Sequence, residues 1–414
     1  MRERLHRFSG ESDLSTTSGN TRATWLIPLC VNRAGVSSVF MMCAGVLGAL
    51  KTAWGMSSTQ AGSIQTAFNF SYGSSLVISS ILADRFGAKQ VLLTSSWLTV
   101  LSALVFSSFA HSYFTALLLL TVQGLAQGGT YAPSLMLVAQ GMPVRDRGNA
   151  MGWLLASSSI GYLASIAASG ALAARFGYRM AFLACATGPV VGLIAALLAL
   201  RSLPKSVLAG RIQLSVLLRI AQNRRSLLVT IGYAAHCWEL LGMWGWMPAF
   251  VSAHWGPAAW RLLVVAVAIH GPAIVGALAA GRASSSLRHK PLLLGVGLAG
   301  ATCSFSAGWL TGLPFALLAL FVGVYSLTTF SDSPILSAAI TEFIAEENLG
   351  AALAVRSVGG FCAGGLAPVA FGWAVSAATY GGNQTPWAYG FSILGFGGAL
   401  AAFCAWLLPT ERRP

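Results

Sequence analysis

Twelve apolar runs, each about as long as a bilayer is thick, follow one another from residue 25 to residue 409. A hydrocarbon core of about 30 Å needs about 20 apolar residues per helical crossing. The runs fall near 25–50, 59–83, 90–110, 114–138, 149–173, 180–200, 227–251, 258–280, 291–311, 313–340, 350–374 and 386–409, and are numbered below as spans 1 to 12. Backbone inside lipid must bond to itself, which leaves helices or closed barrels. The runs are long and lack the strict alternation of barrel strands, so helices are expected. Composition agrees: of 414 residues, 56% are hydrophobic and 9% charged, against about a quarter charged in ordinary soluble domains. A water-soluble fold is excluded.

Basic residues divide unevenly between the two ends of the spans. Arg2, Arg4, Arg7 and Arg22 precede span 1, and Arg85 with Lys89, then Arg145 with Arg147, follow spans 2 and 4. Segment 201–226 carries Arg201, Lys205, Arg211, Arg219, Arg224 and Arg225; Arg282, Arg288 and Lys290 follow span 8, and Arg412 and Arg413 end the chain. The opposite side holds Lys51, Arg175, Arg179 and Arg261, so the count is nineteen against four. The positive-inside bias then places both termini in the cytoplasm, and the expected location is the plasma (inner) membrane. Scattered over loops, the net charge of +14 forms no single nucleic-acid-binding face. No small-residue cleavage site follows the polar tail, so span 1 is expected to be an anchor. The seven cysteines lie in apolar stretches without a CxxC pair, which argues against a disulfide framework and a zinc site.

The two halves repeat. Trp54-Gly55 after span 1 answers Trp255-Gly256 after span 7, Pro133 answers Pro334, and Gly148 and Gly170 answer Gly350 and Gly372, all at offsets of 201 or 202. Parallel repeats of this kind are a build used by transporters. The expected organisation is a cytoplasmic tail 1–24, a six-helix bundle 25–200, a basic linker 201–226, a second six-helix bundle 227–409 and a short tail 410–414. The linker reads either as an amphipathic helix on the inner leaflet, through Val207, Leu208, Leu214, Leu217 and Leu218, or as a plain tether.

Between spans 2 and 3 stands Leu82-Ala83-Asp84-Arg85-Phe86-Gly87-Ala88-Lys89, which resembles the signature loop of the major facilitator superfamily. Ser80 replaces that motif's first glycine and Ala88 one of its basic positions. Arg175-Phe176-Gly177-Tyr178-Arg179 resembles the family's exit from span 5. The resemblance implies an all-α integral membrane fold of 12 transmembrane helices, two six-helix bundles related by pseudo-twofold symmetry. It also implies a gating role for Asp84, Arg85 and Gly87, which in the family latch the cytoplasmic side. Gln127-Gly128 lacks the arginine expected at Gly124, and span 5 lacks the glycine-proline pattern of drug antiporters, with Ser165 near the expected proline. Both departures count against a proton-coupled drug exporter. Asn32-Arg33 and Asp332-Ser333-Pro334 are similar to segments of nitrate/nitrite and cyanate-type permeases, although span 2 has no arginine and spans 5 and 11 lack the Gly-Asn-containing signature.

Apart from Arg261 at the outer edge of span 8, charge inside the spans is confined to Arg33, Glu239, Asp332 and Arg356 of spans 1, 7, 10 and 11. The resemblance implies that spans 1, 4, 7 and 10 line a central cavity, flanked by 2, 5, 8 and 11. A charge at the bilayer centre costs about 3 kcal/mol even on lenient scales, so these residues are expected to face that cavity or a partner. Gln123, Gln127 and Tyr131 follow each other at i, i+4, i+8, and Tyr233, His236 and Glu239 share a side of span 7. The expected substrate-binding set is Asn32, Arg33, Asn69, Tyr72, Gln123, Gln127, Tyr131, His236, Glu239, His270, Tyr325, Asp332 and Arg356. Glu239 is also the expected coupling group for a co-transported proton. Arg33 has three open roles: binding an anion, pairing with Glu239, or reaching to the inner interface. Asp332 either joins the site or pairs with Arg356. Trp238, Trp244, Trp246 and Trp255 read as packing and an outer aromatic belt.

These residues describe a secondary transporter of a small solute, an organic or inorganic anion, working by rocker-switch alternating access. The competing readings are proton-coupled efflux of amphipathic drugs and a transporter-like membrane sensor without flux. No GxxxxGK[ST] loop is present to bind ATP, and no nucleophile and base constellation is legible, so neither an enzyme nor a cofactor or metal is expected. The expected partners are the small-molecule substrate, a proton and the lipid bilayer, with the chain a monomer. Single cysteines placed at His111 and Gly381 should react with an impermeant thiol reagent on intact cells, and cysteines at Arg145 and Arg219 should be spared. Labelling in the opposite sense reverses the topology.

Overall fold

The computed structural model describes residues 24–202, 220, 222–286, 288–341, 344 and 349–409, and among them every regular element is helical. Seven expected spans are single helices: Ser58–Phe86, Ala88–Phe109, Arg224–Trp255, Ala259–Ser286, Phe315–Thr341, Leu349–Tyr380 and Pro386–Leu407. Span 9 is the helix His289–Ala307, followed by a 3-10 turn at Leu310–Gly312. Spans 5 and 6 run as one segment, Val144–Ser202, broken at Gly177. Residues 203–219 of the linker, on which its two readings depend, lie outside the described set.

Two spans expected to be continuous are interrupted, and in both the freed backbone groups are re-bonded inside the protein. Span 1 consists of Leu26–Ser37, a 3-10 turn Ala44–Val46 and Leu47–Ala53. At its break the Ser38 hydroxyl donates to the carbonyls of Gly35 and Cys185, both at 2.8 Å. The Phe40 carbonyl there accepts from Gln65 Nε2 at 3.4 Å. Span 4 divides into Tyr113–Gly128 and Tyr131–Gly141. Pro133 lacks an N–H and crowds the carbonyl one turn earlier, at Gly129, and Thr130 Oγ1 donates to Gln127 O at 2.7 Å across the gap. Hydrocarbon offers no alternative partner for such groups.

The links between spans follow the sequence motifs. Gly87, with φ +91°, alone separates the helices of spans 2 and 3, and Gly177, with φ +80°, turns span 5 into span 6. A side chain is strained in that region of φ, which is why both motif positions are glycine. The repeat is visible at the helix ends. Lys89 Nζ donates to the Leu200 carbonyl at the end of span 6, and Lys290 Nζ to the Leu408 carbonyl at the end of span 12, at 3.4 and 2.8 Å. Each ammonium thus meets the negative end of a helix, in the same place in each half.

Among the described residues, six stretches keep an apolar window suited to crossing a membrane: 88–109, 149–201 across the Gly177 break, 259–276, 315–340, 354–380 and 386–407. Spans 1 and 4 are broken, and spans 2 and 7 carry buried polar groups such as Asn69 and Glu239. In the first half, span 1 packs on the Val144–Ser202 segment and span 2 on span 4; in the second, span 8 packs on span 10 and span 9 on span 12.

The halves meet along spans 2 and 11 and along spans 5 and 8. Thr59 N and Oγ1 both reach Ser376 Oγ at 3.2 Å, and Val369 N donates to Thr66 Oγ1 at 3.2 Å. Backbones come so close that a Cβ on Gly62 would strike the Pro368 carbonyl, and one on Gly372 the Ser58 carbonyl. In the other seam Gly170 abuts Leu262, and Tyr162 packs on His270. These contacts extend from the distal end, opposite the chain termini, to mid-depth at Gly73 against Phe361. The seam is therefore closed on the distal side. Thr59→Cys combined with Ser376→Cys should cross-link on oxidation, the two hydroxyls already being within reach of disulfide geometry. Failure to form the link in the full-length protein would contradict the distal closure.

Candidate functional site

Arg33 sits where spans 1, 2, 4 and 5 converge, 2% exposed. Its Nε donates to Ser158 Oγ at 2.6 Å, Nη1 to Thr130 Oγ1 at 3.3 Å and Nη2 to Tyr72 OH at 3.2 Å, and its Cζ lies 4.8 Å from the centre of the Tyr131 ring. Every one of these partners is neutral. The guanidinium is solvated by hydroxyls and a ring face but its charge is not cancelled, an expensive arrangement in a low-dielectric interior. Tyr72 also touches Phe361 of span 11, ring centres 5.3 Å apart, which puts this nest at the seam between the halves.

Asn32, next in the chain, turns by about 100° away from Arg33. Its amide donates to Gly192 O at 2.9 Å and Ser96 Oγ at 3.2 Å, tying span 1 to spans 6 and 3. Neither bond involves a residue of the Arg33 nest.

The acids sit within the second half. Glu239, 1% exposed, accepts a hydrogen bond from Ser304 Oγ at 2.5 Å. Ser304 Oγ also meets Tyr325 OH, and Gly300 and Gly398 leave the space that the carboxylate fills. Glu239 therefore faces spans 9, 10 and 12, and the alternative of a pair with Arg33 is not realised. His236 Nδ1 lies 3.7 Å from Asp332 Oδ2. The alternative of a pair between Asp332 and Arg356 is not realised either: Arg356 Nη1 donates to Ser337 Oγ at 2.7 Å and its Cζ lies 4.1 Å from the centre of the Tyr233 ring. Tyr233, His236 and Glu239 thus fan out. Each three-residue step rotates the side chain by about 60°, so two steps carry Glu239 about 120° from Tyr233.

An aromatic layer covers the distal side of the centre. Phe40 packs on Phe68, Tyr72 and Tyr162; Tyr162 packs on Trp244 and His270 of the other half; Trp244 stacks with Phe330. Within and beside it are buried polar atoms without a hydrogen-bond partner among the described residues. They are Asn69 Nδ2, Trp244 Nε1, both ring nitrogens of His270 and the amide atoms of Gln123 and Gln127. Unsatisfied groups of this kind, in a native interior, call for a partner such as an ordered water or a ligand. Gln65 donates to Asn69 Oδ1 at 3.1 Å, leaving the other Asn69 group available.

At the terminal end Asp84 is partly buried in the last turn of span 2, and the Arg85 guanidinium lies 5.2 Å from the Phe86 ring centre. The side chains of Arg145 and Arg147, in the next loop on that side, lie outside the described set. Ser158, Thr130, Ser304 and Ser337 were not singled out from sequence, because serine and threonine bonded to their own helix look identical to those that hold a charge. Trp244 and Trp246 are interior packing groups, with Trp246 Nε1 donating to Pro368 O at 2.9 Å. No cluster of three or more metal-ligating side chains occurs among the described residues.

The family model described as Major Facilitator Superfamily matches residues 29–331. Among curated relatives, "Probable 4-methylmuconolactone transporter" of Cupriavidus pinatubonensis is 25% identical over 60% of each chain. "Probable sulfoacetate transporter" of Cupriavidus necator is 29% identical over 31% of this chain and 30% of its own length. The chain thus spans under two thirds of the length of these two relatives. "Quinolone resistance transporter" of Acinetobacter baumannii is 25% identical over 77% of this chain and 78% of its own. Among solved structures, a bacterial homologue of the human lysosomal transporter Spinster superposes with TM-score 0.74 at 15% identity, covering 94% of this chain and 97% of its own. A D-xylose-proton symporter superposes with TM-score 0.70 at 18% identity over 93% and 98%.

Proposed function

The chain belongs to the major facilitator superfamily of membrane transporters, and from that premise we propose that it carries small organic anions across the bilayer by alternating access. Arg33 is the observation that carries this reading. A permanently charged guanidinium, buried at the seam and partnered only by hydroxyls and a ring, lacks one negative charge. A carboxylate or sulfonate supplies it, and the planar fork suits either. The relatives named for 4-methylmuconolactone and sulfoacetate support an organic anion over an inorganic one. Tyr72 and Tyr131 frame the anion, and Asn69, Gln123, Gln127 and His270 offer polar contacts to the rest of the substrate. The distal closure fits a state open toward the chain termini. In this reading that side is the cytoplasm, the membrane is the plasma (inner) membrane, Asp84, Arg85 and Gly87 gate it, and the transporter works as a monomer.

Efflux of amphipathic drugs is the second reading, favoured by the quinolone-resistance relative and by the aromatic layer. The two readings part at Arg33. Arg33→Lys keeps the charge and loses the fork, so the variant should show at least a tenfold higher Kd for a transported carboxylate or sulfonate at normal expression. Unchanged affinity would overturn the anion site, and drug efflux indifferent to Arg33 would favour the second reading.

Glu239 is the proposed proton-coupling group, enclosed away from the Arg33 nest so that proton and substrate occupy different places. Glu239→Gln should retain counterflow exchange in proteoliposomes and abolish uphill uptake driven by a pH gradient. Undiminished uphill uptake would remove Glu239 from coupling.

A further inference from the structure

The surroundings of Arg356 repeat those of Arg33 with different residues. Arg33 lies over Tyr131 of span 4 at 4.8 Å and bonds the Ser158 hydroxyl; Arg356 lies over Tyr233 of span 7 at 4.1 Å and bonds the Ser337 hydroxyl. Neither meets a carboxylate among the described residues. Glu239 is taken by Ser304, and Asp332 Oδ2 lies 3.7 Å from His236 Nδ1. Arg356 Nε, moreover, is buried without a hydrogen-bond partner among the described residues.

The two arginine nests are joined at the seam. Tyr72, which accepts from Arg33, packs on Phe361 of span 11, and the neighbouring Gly360 lies against the Tyr233 ring beneath Arg356. Closing the cavity around a monoanion would leave one of the two cations uncompensated in a dry space. A molecule with an acidic group at each end compensates both. Because one cation belongs to each half, such a molecule also ties the halves together, and its binding energy then favours the closed state over the open one.

We propose that Arg356 is a second anion pole, and that the substrate is a small organic dianion with one acidic group at Arg33 and the other at Arg356. This rests on the assignment of Arg33 as an anion-binding residue.

The test measures binding to the purified full-length protein of three dianions, succinate, glutarate and sulfoacetate, and of butyrate, which matches succinate in carbon number with one charge. At least one dianion should bind tenfold or more tightly than butyrate. Arg356→Gln should bring that dianion to the level of butyrate, and Arg33→Gln should remove both. Equal binding of dianions and butyrate to the unaltered protein, or no dianion binding, overturns the proposal without recourse to variants. An unchanged dianion preference in a folded Arg356→Gln protein overturns it too and leaves Arg33 standing. Retention of both ligands by Arg33→Gln overturns the assignment on which it rests.

Discussion

Hydrocarbon supplies no hydrogen bonds and solvates no charge, and each departure from plain apolar helix in this protein answers that fact. Where the backbone breaks, in span 1 near Ser38 and in span 4 near Thr130, hydroxyls and neighbouring carbonyls take up freed groups. Where charge enters, it lies at convergences of several helices and is wrapped by hydroxyls and tyrosine rings. Arg33 and Arg356 are held in this way. The break in span 4 also presents Thr130 and Tyr131, so the same local interruption builds part of the charge's nest.

The division of labour between the halves follows from the distribution of charge. Among the described buried residues the first half carries a cation and no acid, whereas the second carries Glu239, Asp332 and Arg356. The first half thus holds a charge that its own described buried residues do not cancel. The carboxylates, packed among spans 7, 9, 10 and 12, stand apart from that nest. The close approach of spans 2 and 11 through Gly62 and Gly372, with the aromatic layer of Tyr162, Trp244 and His270 beside it, closes the distal side above both.

Much of the architecture was legible because its causes are local. Run length predicts spans, a charge inside a span predicts a convergence, and Gly87 and Gly177 predict turns that only glycine makes easily. The offset of 201 that pairs Trp54 with Trp255 also pairs Lys89 with Lys290, each closing the end of a helix in its own half. The list of polar residues in spans 1, 2, 4, 7, 8, 10 and 11 contained Arg33, Tyr72 and Tyr131, which do assemble. It also contained Asn32 and Glu239, which do not join them.

From the sequence alone came the helical membrane fold, the repeat and the identity of the four buried charges, because each depends on length, periodicity or the cost of one residue in lipid. The tertiary structure decided who partners whom. A step of one residue separates Asn32 from Arg33 by about 100°, and two steps of three separate Tyr233 from Glu239 by about 120°. Those rotations, set against helices remote in sequence, send Glu239 to Ser304, Arg356 to Ser337 and Arg33 to Ser158. Many serines in these spans, such as Ser74 and Ser108, only bond back to their own helix, so nothing in the order of residues marks the ones that hold a charge.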